Sequence, residues 1–239
     1  MENSQNIERI VTAKFIGVVF LYMFMGLAIT ALSAGVVGYL FTRYFSINEF
    51  VGYDVIYLIT LISSAVILVI CSIWFSIAAY RSRIALIIPY IIYALAMGVL
   101  VSSFTMYVQF EVLALTFAVT CLSFLVMALI AIFTKKNLNF ILVIVFGILL
   151  GSALISLTNV IWMLFIPIAF DYYYWIIEFA IFGVIMLITI YDIWHIKNIA
   201  ERGEANNNVA LYCAFNLYTD FINIFIRLLV IFANIKRKK

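Results

Sequence analysis

Apolar residues follow one another along this chain in long runs, and short polar segments break the runs at regular intervals. The runs lack the alternation of apolar and polar positions that a strand of a membrane barrel needs. About 20 consecutive apolar residues are enough for an α-helix to cross the hydrocarbon core of a bilayer. The pattern therefore predicts seven membrane-spanning helices, at residues 15–41, 55–80, 84–108, 112–133, 140–162, 172–196 and 209–235.

The composition indicates that lipid is the solvent for most of the apolar surface of the protein. Hydrophobic residues make up 68% of the 239 positions and charged residues 10%, whereas a soluble domain has roughly half apolar and about a quarter charged residues. Because backbone groups in hydrocarbon need internal partners, only helices and closed barrels can span it. The polar links are too short for a folded extramembrane domain. We therefore predict an all-α polytopic membrane protein with a single membrane domain, residues 1–239.

Three glycines lie inside the predicted helices, at Gly98, Gly147 and Gly151. Small residues in membrane helices let two backbones approach closely. We therefore expect contacts between helices at these positions.

The positive charges predict the orientation of the chain. Arg43 lies alone on one side of the predicted bundle, and eight basic residues lie on the other side with the N-terminus: Arg9, Lys14, Arg81, Arg83, Lys135, Lys136, Lys197 and Arg202. Basic residues accumulate on the cytoplasmic side, so we expect a cytoplasmic N-terminus. The basic tail 236–239 would lie outside if the last helix spans, and inside if that helix re-enters. Its length permits spanning and early helices usually dominate orientation, so we favour spanning and leave re-entry open.

Several classes of function are disfavoured by the remaining polar residues. The net charge of +3 comes without a basic stripe along the chain, so nucleic acid is not an expected partner. A single histidine and three isolated cysteines argue against a transition-metal centre or a disulfide framework. No serine, base and orienting group have the spacing of a hydrolase. We therefore expect neither an enzyme nor a cofactor.

The last predicted helix carries a narrow polar stripe. Asn216, Asp220, Asn223 and Arg227 are spaced four, three and four residues apart, which places them on one face of an otherwise apolar helix. A helix lying flat on the membrane surface would need a broader polar face. The stripe therefore favours a helix surrounded by other helices, with its polar edge towards an internal crevice.

Two acidic residues of the sixth helix face the same way. Glu178 and Asp192 are 14 residues apart, hence within about 40° of one face. Asp192 can meet Asp220 if the seventh helix tilts or the sixth runs longer than predicted. Two carboxylates in a dry site cannot both ionise cheaply, so the pair would be a proton-controlled switch. Arg81 could supply a neighbouring cation or be a simple topology anchor, and His195 could sense the same field or be an interfacial residue.

The C-terminal third resembles a known family. Residues 210–231 (ALYCAFNLYTDFINIFIRLLVI), together with Tyr191-Asp192 and Ile196-Lys197, are similar to the seventh helix and the end of the sixth helix in the Bax inhibitor-one family. These are the transmembrane Bax inhibitor motif proteins, and the chain looks like a bacterial member. Weaker similarities occur at residues 24–32, 93–102 and 133–138.

The resemblance implies a fold and a function. In the family, six helices surround a central seventh, and the proteins are associated with a pH-dependent calcium leak. An aspartate pair on helices six and seven is the sensor, linked to an arginine at the end of helix two. Carried over by motif, the aspartates are Asp192 and Asp220 and the arginine is Arg81 or Arg83. We therefore expect a proton-gated calcium leak channel in the lipid bilayer, with transient calcium at the two aspartates and a path lined by Glu178, Asn216, Asn223 and Arg227.

A second hypothesis gives the same fold a different role. Some bacterial members of the resembled family suggest an interaction protein that modulates a membrane-bound protease or a stress pathway. Such a protein needs an exposed, sequence-specific surface, and the short loops offer little of one. Co-purification of a stoichiometric partner without ion flux would favour this hypothesis.

Overall fold

The computed structural model describes residues 2–47, 53–78, 83–134, 136–163 and 170–237, and the regular structure in them is entirely α-helical. The prediction of an all-α membrane protein is confirmed, and each predicted span falls on one helix. The seven helices are α1 (Glu2–Ile47), α2 (Tyr53–Ala78), α3 (Arg83–Tyr107), α4 (Phe110–Phe133), α5 (Asn139–Met163), α6 (Phe170–Glu201) and α7 (Asn207–Arg237).

Six of the helices are long and apolar enough to cross a membrane, as judged on the described residues. Their spans are Ile10–Arg43, Leu58–Ile77, Arg83–Phe104, Phe110–Phe133, Ile177–Glu201 and Asn207–Asn234. In α5 the apolar stretch that meets this description is shorter, Asn139–Gly151. Large apolar side chains such as Leu32, Val143 and Phe133 are more than two-thirds exposed, which suits a surface in contact with lipid.

The first helix extends well beyond its predicted span. α1 has 46 residues, which corresponds to about 69 Å at 1.5 Å per residue. The hydrocarbon core is only about 30 Å thick. The apolar pattern locates the part that crosses the membrane, whereas the helix continues through polar flanking residues because its backbone hydrogen bonds do not depend on lipid.

The chain divides into two compact units. The first comprises residues 1–114 and 199–218, and the second comprises residues 115–198 and 219–239. α7 therefore contributes its first half to one unit and its second half to the other. It is the most buried of the six candidate spans: 56% of its apolar stretch is buried, against 17% to 39% in the others. This burial agrees with the narrow polar stripe, which suits a helix with neighbours on most sides.

In the first unit, α1 and α2 each pack against α3. α1 approaches α3 closely at Gly98, where an added Cβ would lie 2.5 Å from the Ser33 Cβ and 2.6 Å from the Thr30 carbonyl oxygen. The Ser33 hydroxyl donates to the Leu95 carbonyl at 2.9 Å, and the Thr30 hydroxyl donates to the Ala94 carbonyl at 3.1 Å. A small residue and two short hydroxyl side chains thus join these helices.

The first half of α7 is held in the same unit by Tyr218, whose side chain is completely buried. Its hydroxyl lies 2.6 Å from the Thr30 hydroxyl. The single Thr30 proton is shared between the Gly26 and Ala94 carbonyls, at 3.0 and 3.1 Å. The Tyr218 hydroxyl is therefore the donor to Thr30. The Tyr218 ring also packs edge-on against Tyr90.

The expected helix contact is present at Gly98 but not at the two glycines of α5. A Cβ added at Gly147 or Gly151 would meet no heavy atom within 4 Å in the part of the chain that the structure describes. All three glycines lie in apolar helical sequence, so only the packing of the helices distinguishes Gly98 from the other two.

Replacing Gly98 by Ala is expected to lower the thermal unfolding temperature of the detergent-purified protein. The added methyl group forces α1 away from α3, a change that costs about 1–3 kcal/mol in well-packed interiors. Gly147→Ala is the matched control, because the methyl group enters open space and Ala is the better helix former. Equal loss of stability in the two variants would contradict the close contact at Gly98.

Candidate functional site

The second unit brings polar faces of α6 and α7 together. Glu178, Thr189 and Asp192 lie within about 60° of arc on α6, from their spacing of 11 and three residues. Asp220 and Arg227 lie on one face of α7. Contacts between these two faces, described below, define the candidate site.

The two predicted sensor residues lie close together. Asp220 is only 8% exposed, and its Oδ2 atom is buried with no hydrogen-bond partner among the described residues. Asp192 is half-buried, and its carboxyl group interacts electrostatically with that of Asp220. Two like charges in a poorly solvated site repel each other strongly. The structure therefore brings one acid of α6 and one acid of α7 together in the second unit.

Thr189 completes the surroundings of Asp220, and sequence reasoning missed it. Its side chain is completely buried, and its hydroxyl donates to the Ile185 carbonyl at 2.9 Å while also contacting the Asp220 carboxyl group. The hydroxyl has one proton, which the Ile185 carbonyl and an ionised Asp220 can each accept. The signal that could have found Thr189 is its position three residues before Asp192, on the same helix face.

Glu178 and Arg227 form an ion pair between α6 and α7. The side chains are 15% and 31% exposed, respectively. Their role as lining residues of a path stays a prediction, and the structure pairs the two side chains with each other. Arg227 lies two turns from Asp220, and its guanidinium group reaches Glu178 on the neighbouring helix.

The two asparagines of the stripe have different surroundings. Asn216 is half-buried in the part of α7 that belongs to the first unit. Asn223 is the one exposed residue of α7 between residues 208 and 234, all of which are described. A carboxamide is thus open to the surroundings one turn from Asp220.

The arginine predicted to pair with the aspartates is Arg81 or Arg83. Arg81 lies outside the described residues. Arg83 is the first residue of α3, is exposed, and donates from its guanidinium group to the Tyr22 hydroxyl at 2.7 Å. The Tyr22 carbonyl in turn accepts from Tyr90 at 2.8 Å. The assignment of either arginine as the ionic partner stays a prediction.

The C-terminal end of α6 is fastened to α4 by Lys197. The ammonium group donates to the carbonyl oxygens of Ile132 at 2.8 Å and Thr134 at 3.4 Å. The last carbonyls of a helix lack intrahelical donors and favour a cation. Lys197 follows Asp192 by five residues and therefore lies about 140° further round α6. The sequence had assigned this lysine only to topology.

His195 lies on the same helix, three residues after Asp192. Its side chain is exposed, and its ring stacks on Tyr191 with ring centres 5.9 Å apart and planes 9° from parallel. Among the residues that the structure describes, no three or more histidine, cysteine, aspartate or glutamate side chains gather where they could hold a metal ion. Two carboxylates give a cation only a few of the oxygen ligands that calcium prefers.

The fold and the site define a polytopic α-helical membrane protein with an acidic pair buried between its last two helices. The chain belongs to the family described as inhibitor of apoptosis-promoting Bax1, whose profile matches residues 12–238. The resemblance seen in the C-terminal third is therefore confirmed and extends over almost the whole chain.

Two curated relatives are bacterial membrane proteins. The chain is 32% identical over 152 residues to the inner membrane protein YbhL of Escherichia coli strain K12 and, equally, to that of Escherichia coli O6:H1. Each match covers 61% of this chain and 62% of the relative. The chain thus spans less than two thirds of the length of these relatives.

Replacing Lys197 by Met is expected to destabilise the protein. The apolar stem is kept, but the last carbonyls of α4 lose their donor, a loss of about 1–3 kcal/mol for a partly buried acceptor. Thermal unfolding in detergent measures the effect. Lys136→Met is the matched control, since Lys136 is exposed just after α4 and surface substitutions change stability by about 0.5 kcal/mol or less. Equal unfolding temperatures for the two variants would show that the Lys197 contact contributes nothing.

Proposed function

We propose that this chain is a cation leak channel of a bacterial plasma membrane, with calcium as its ion, and that protonation of Asp192 and Asp220 gates it. The observation that carries the proposal is the buried Asp220 carboxyl group, which has an unpartnered oxygen beside a second acid. Membership of the family and similarity to an inner membrane protein support the membrane role. The ion and the gating by protons belong to the proposal.

Protonation would change the contact between α6 and α7 directly. With both carboxyl groups ionised, their repulsion pushes the helices apart at this level, and little water is present to screen it. With one proton bound, the acids can share a hydrogen bond. The number of protons at the pair would thus select between two helix arrangements.

The polar residues near the pair suit passage of a cation rather than storage. Calcium prefers six to eight oxygen ligands, and the pair supplies only part of such a shell. Weak binding suits conduction, since the ion must also leave. In this proposal Glu178, Asn216, Asn223 and Arg227 line the path. Arg81 or Arg83 supplies the cation that stabilises the ionised pair.

Replacing either aspartate by Asn is expected to flatten the pH dependence of calcium uptake into liposomes that contain the pure protein. The ratio of uptake rates between about pH 6 and about pH 8 should fall towards one in Asp192→Asn and Asp220→Asn, because neither variant keeps two titrating carboxyl groups. A fluorescent dye inside the liposomes reports calcium uptake at each pH step and gives the ratio. Potassium and sodium, tested alongside, give the selectivity.

Glu204→Gln is the matched control for this experiment. It removes an exposed carboxyl group from the loop after α6 and should leave the pH response unchanged. A wild-type pH response in both aspartate variants would refute the sensor assignment. If wild-type vesicles show no cation flux and a membrane protease co-purifies in stoichiometric amount, the channel proposal is refuted. The function would then be that of an interaction protein.

A further inference from the structure

α6 and α7 meet through polar side chains at a second level, away from the aspartates. Glu178 precedes Thr189 on α6 by 11 residues, about 16 Å, while Arg227 follows Asp220 on α7 by seven residues, about 10 Å. From the first contact to the second, the residue number falls on α6 and rises on α7. The two helices therefore run antiparallel here. The long side chains of Glu178 and Arg227 make up the difference in length.

The neighbours of this ion pair along the two helices are apolar. Phe179 follows Glu178 and is 57% exposed, while Leu228 and Leu229 follow Arg227 and are buried. A single charge in such surroundings is unfavourable, and removal of one partner of a buried pair leaves the other uncompensated. Each side chain therefore holds the other in place and, with it, the helix that carries it.

We propose that Glu178 and Arg227 form an interhelical lock that keeps α6 and α7 together, so that a leak requires opening of this pair as well as a change at the aspartates. The inference rests on the proposed function, since the lock restrains the same two helices that the aspartates move. The stretch of α7 between the two contacts includes Asn223, the exposed carboxamide. Separation at Arg227 would expose a second polar side chain of the stripe, one turn further along α7.

A different role for the same pair makes an opposite prediction. If Arg227 were an electrostatic barrier to cations that Glu178 holds aside, loss of Glu178 would strengthen the barrier and loss of Arg227 would remove it. Glu178→Gln would then reduce the leak and Arg227→Gln would raise it. In a lock, each change removes the same contact, so both raise the leak.

The first test measures calcium leak from liposomes at one fixed pH. Glu178→Gln, Arg227→Gln and the double variant should each raise the leak by about tenfold, as expected when a closed state loses a tenfold preference. The charge-swapped variant Glu178→Arg with Arg227→Glu should return it towards the wild-type rate. The midpoint of the pH response should stay unchanged, because both aspartates are intact. Arg202→Gln, which removes an exposed arginine after α6, is the control and should have no effect.

The double variant protects the test against loss of folding. It removes both charges and leaves none uncompensated, so its unfolding temperature should stay near that of the wild type. A leak raised only in the single variants would trace to an unpaired charge and would overturn the lock. Opposite effects of the two single variants would overturn it as well.

The second test does not depend on ion flux. Spin labels at Phe179→Cys and Val230→Cys, in a background with Cys71, Cys121 and Cys213 replaced by Ala, report the separation of the two helices beside the pair by pulsed electron paramagnetic resonance. The distance should increase in Glu178→Gln and Arg227→Gln and recover in the charge-swapped variant. An unchanged distance would overturn the lock. An increased distance in a protein that conducts no cation would uphold the lock and refute the channel.

Discussion

The interaction on which the rest of this structure depends is the electrostatic one between two carboxyl groups, Asp192 and Asp220, inside a membrane protein. A buried acid with an unpartnered oxygen next to a second acid is unfavourable unless protons, cations or movement relieve it. The neighbouring helices must therefore be fastened by other contacts. Those contacts are the Glu178–Arg227 ion pair between α6 and α7 and the Lys197 ammonium on the end of α4.

α7 is held differently along its length. Its first half is fastened in the first unit by Tyr218, which donates a hydrogen bond to Thr30 and packs against Tyr90. Its second half lies in the second unit, where Asp220 meets Asp192 and Arg227 meets Glu178. Aromatic packing holds both parts, since the Phe221 ring of the second part packs against Phe117 and Phe124. The second part adds the charged contacts to this packing.

Much of the architecture could be predicted from the sequence, since lipid allows few alternatives. Apolar runs of sufficient length become helices in hydrocarbon, so the seven helices and their approximate bounds followed from the pattern alone. The spacing of Asp220 and Arg227 placed them on one face of α7 by helical geometry. Motif resemblance pointed to Asp192 and Asp220, and the family is now shown over residues 12–238.

By itself the sequence determined the helices, the polar face of α7 and the two acids that are candidate site residues. These follow from composition, from motif and from positions along one helix. Only the tertiary structure decided which residues meet across helices. It paired Arg227 with Glu178 and set Thr189 beside Asp220. It placed the Lys197 ammonium group on the end of α4. It also distinguished the packed Gly98 from Gly147, which has open space beside it. Such partners depend on the rotation and crossing of neighbouring helices, which packing sets and which no pattern along a single helix contains.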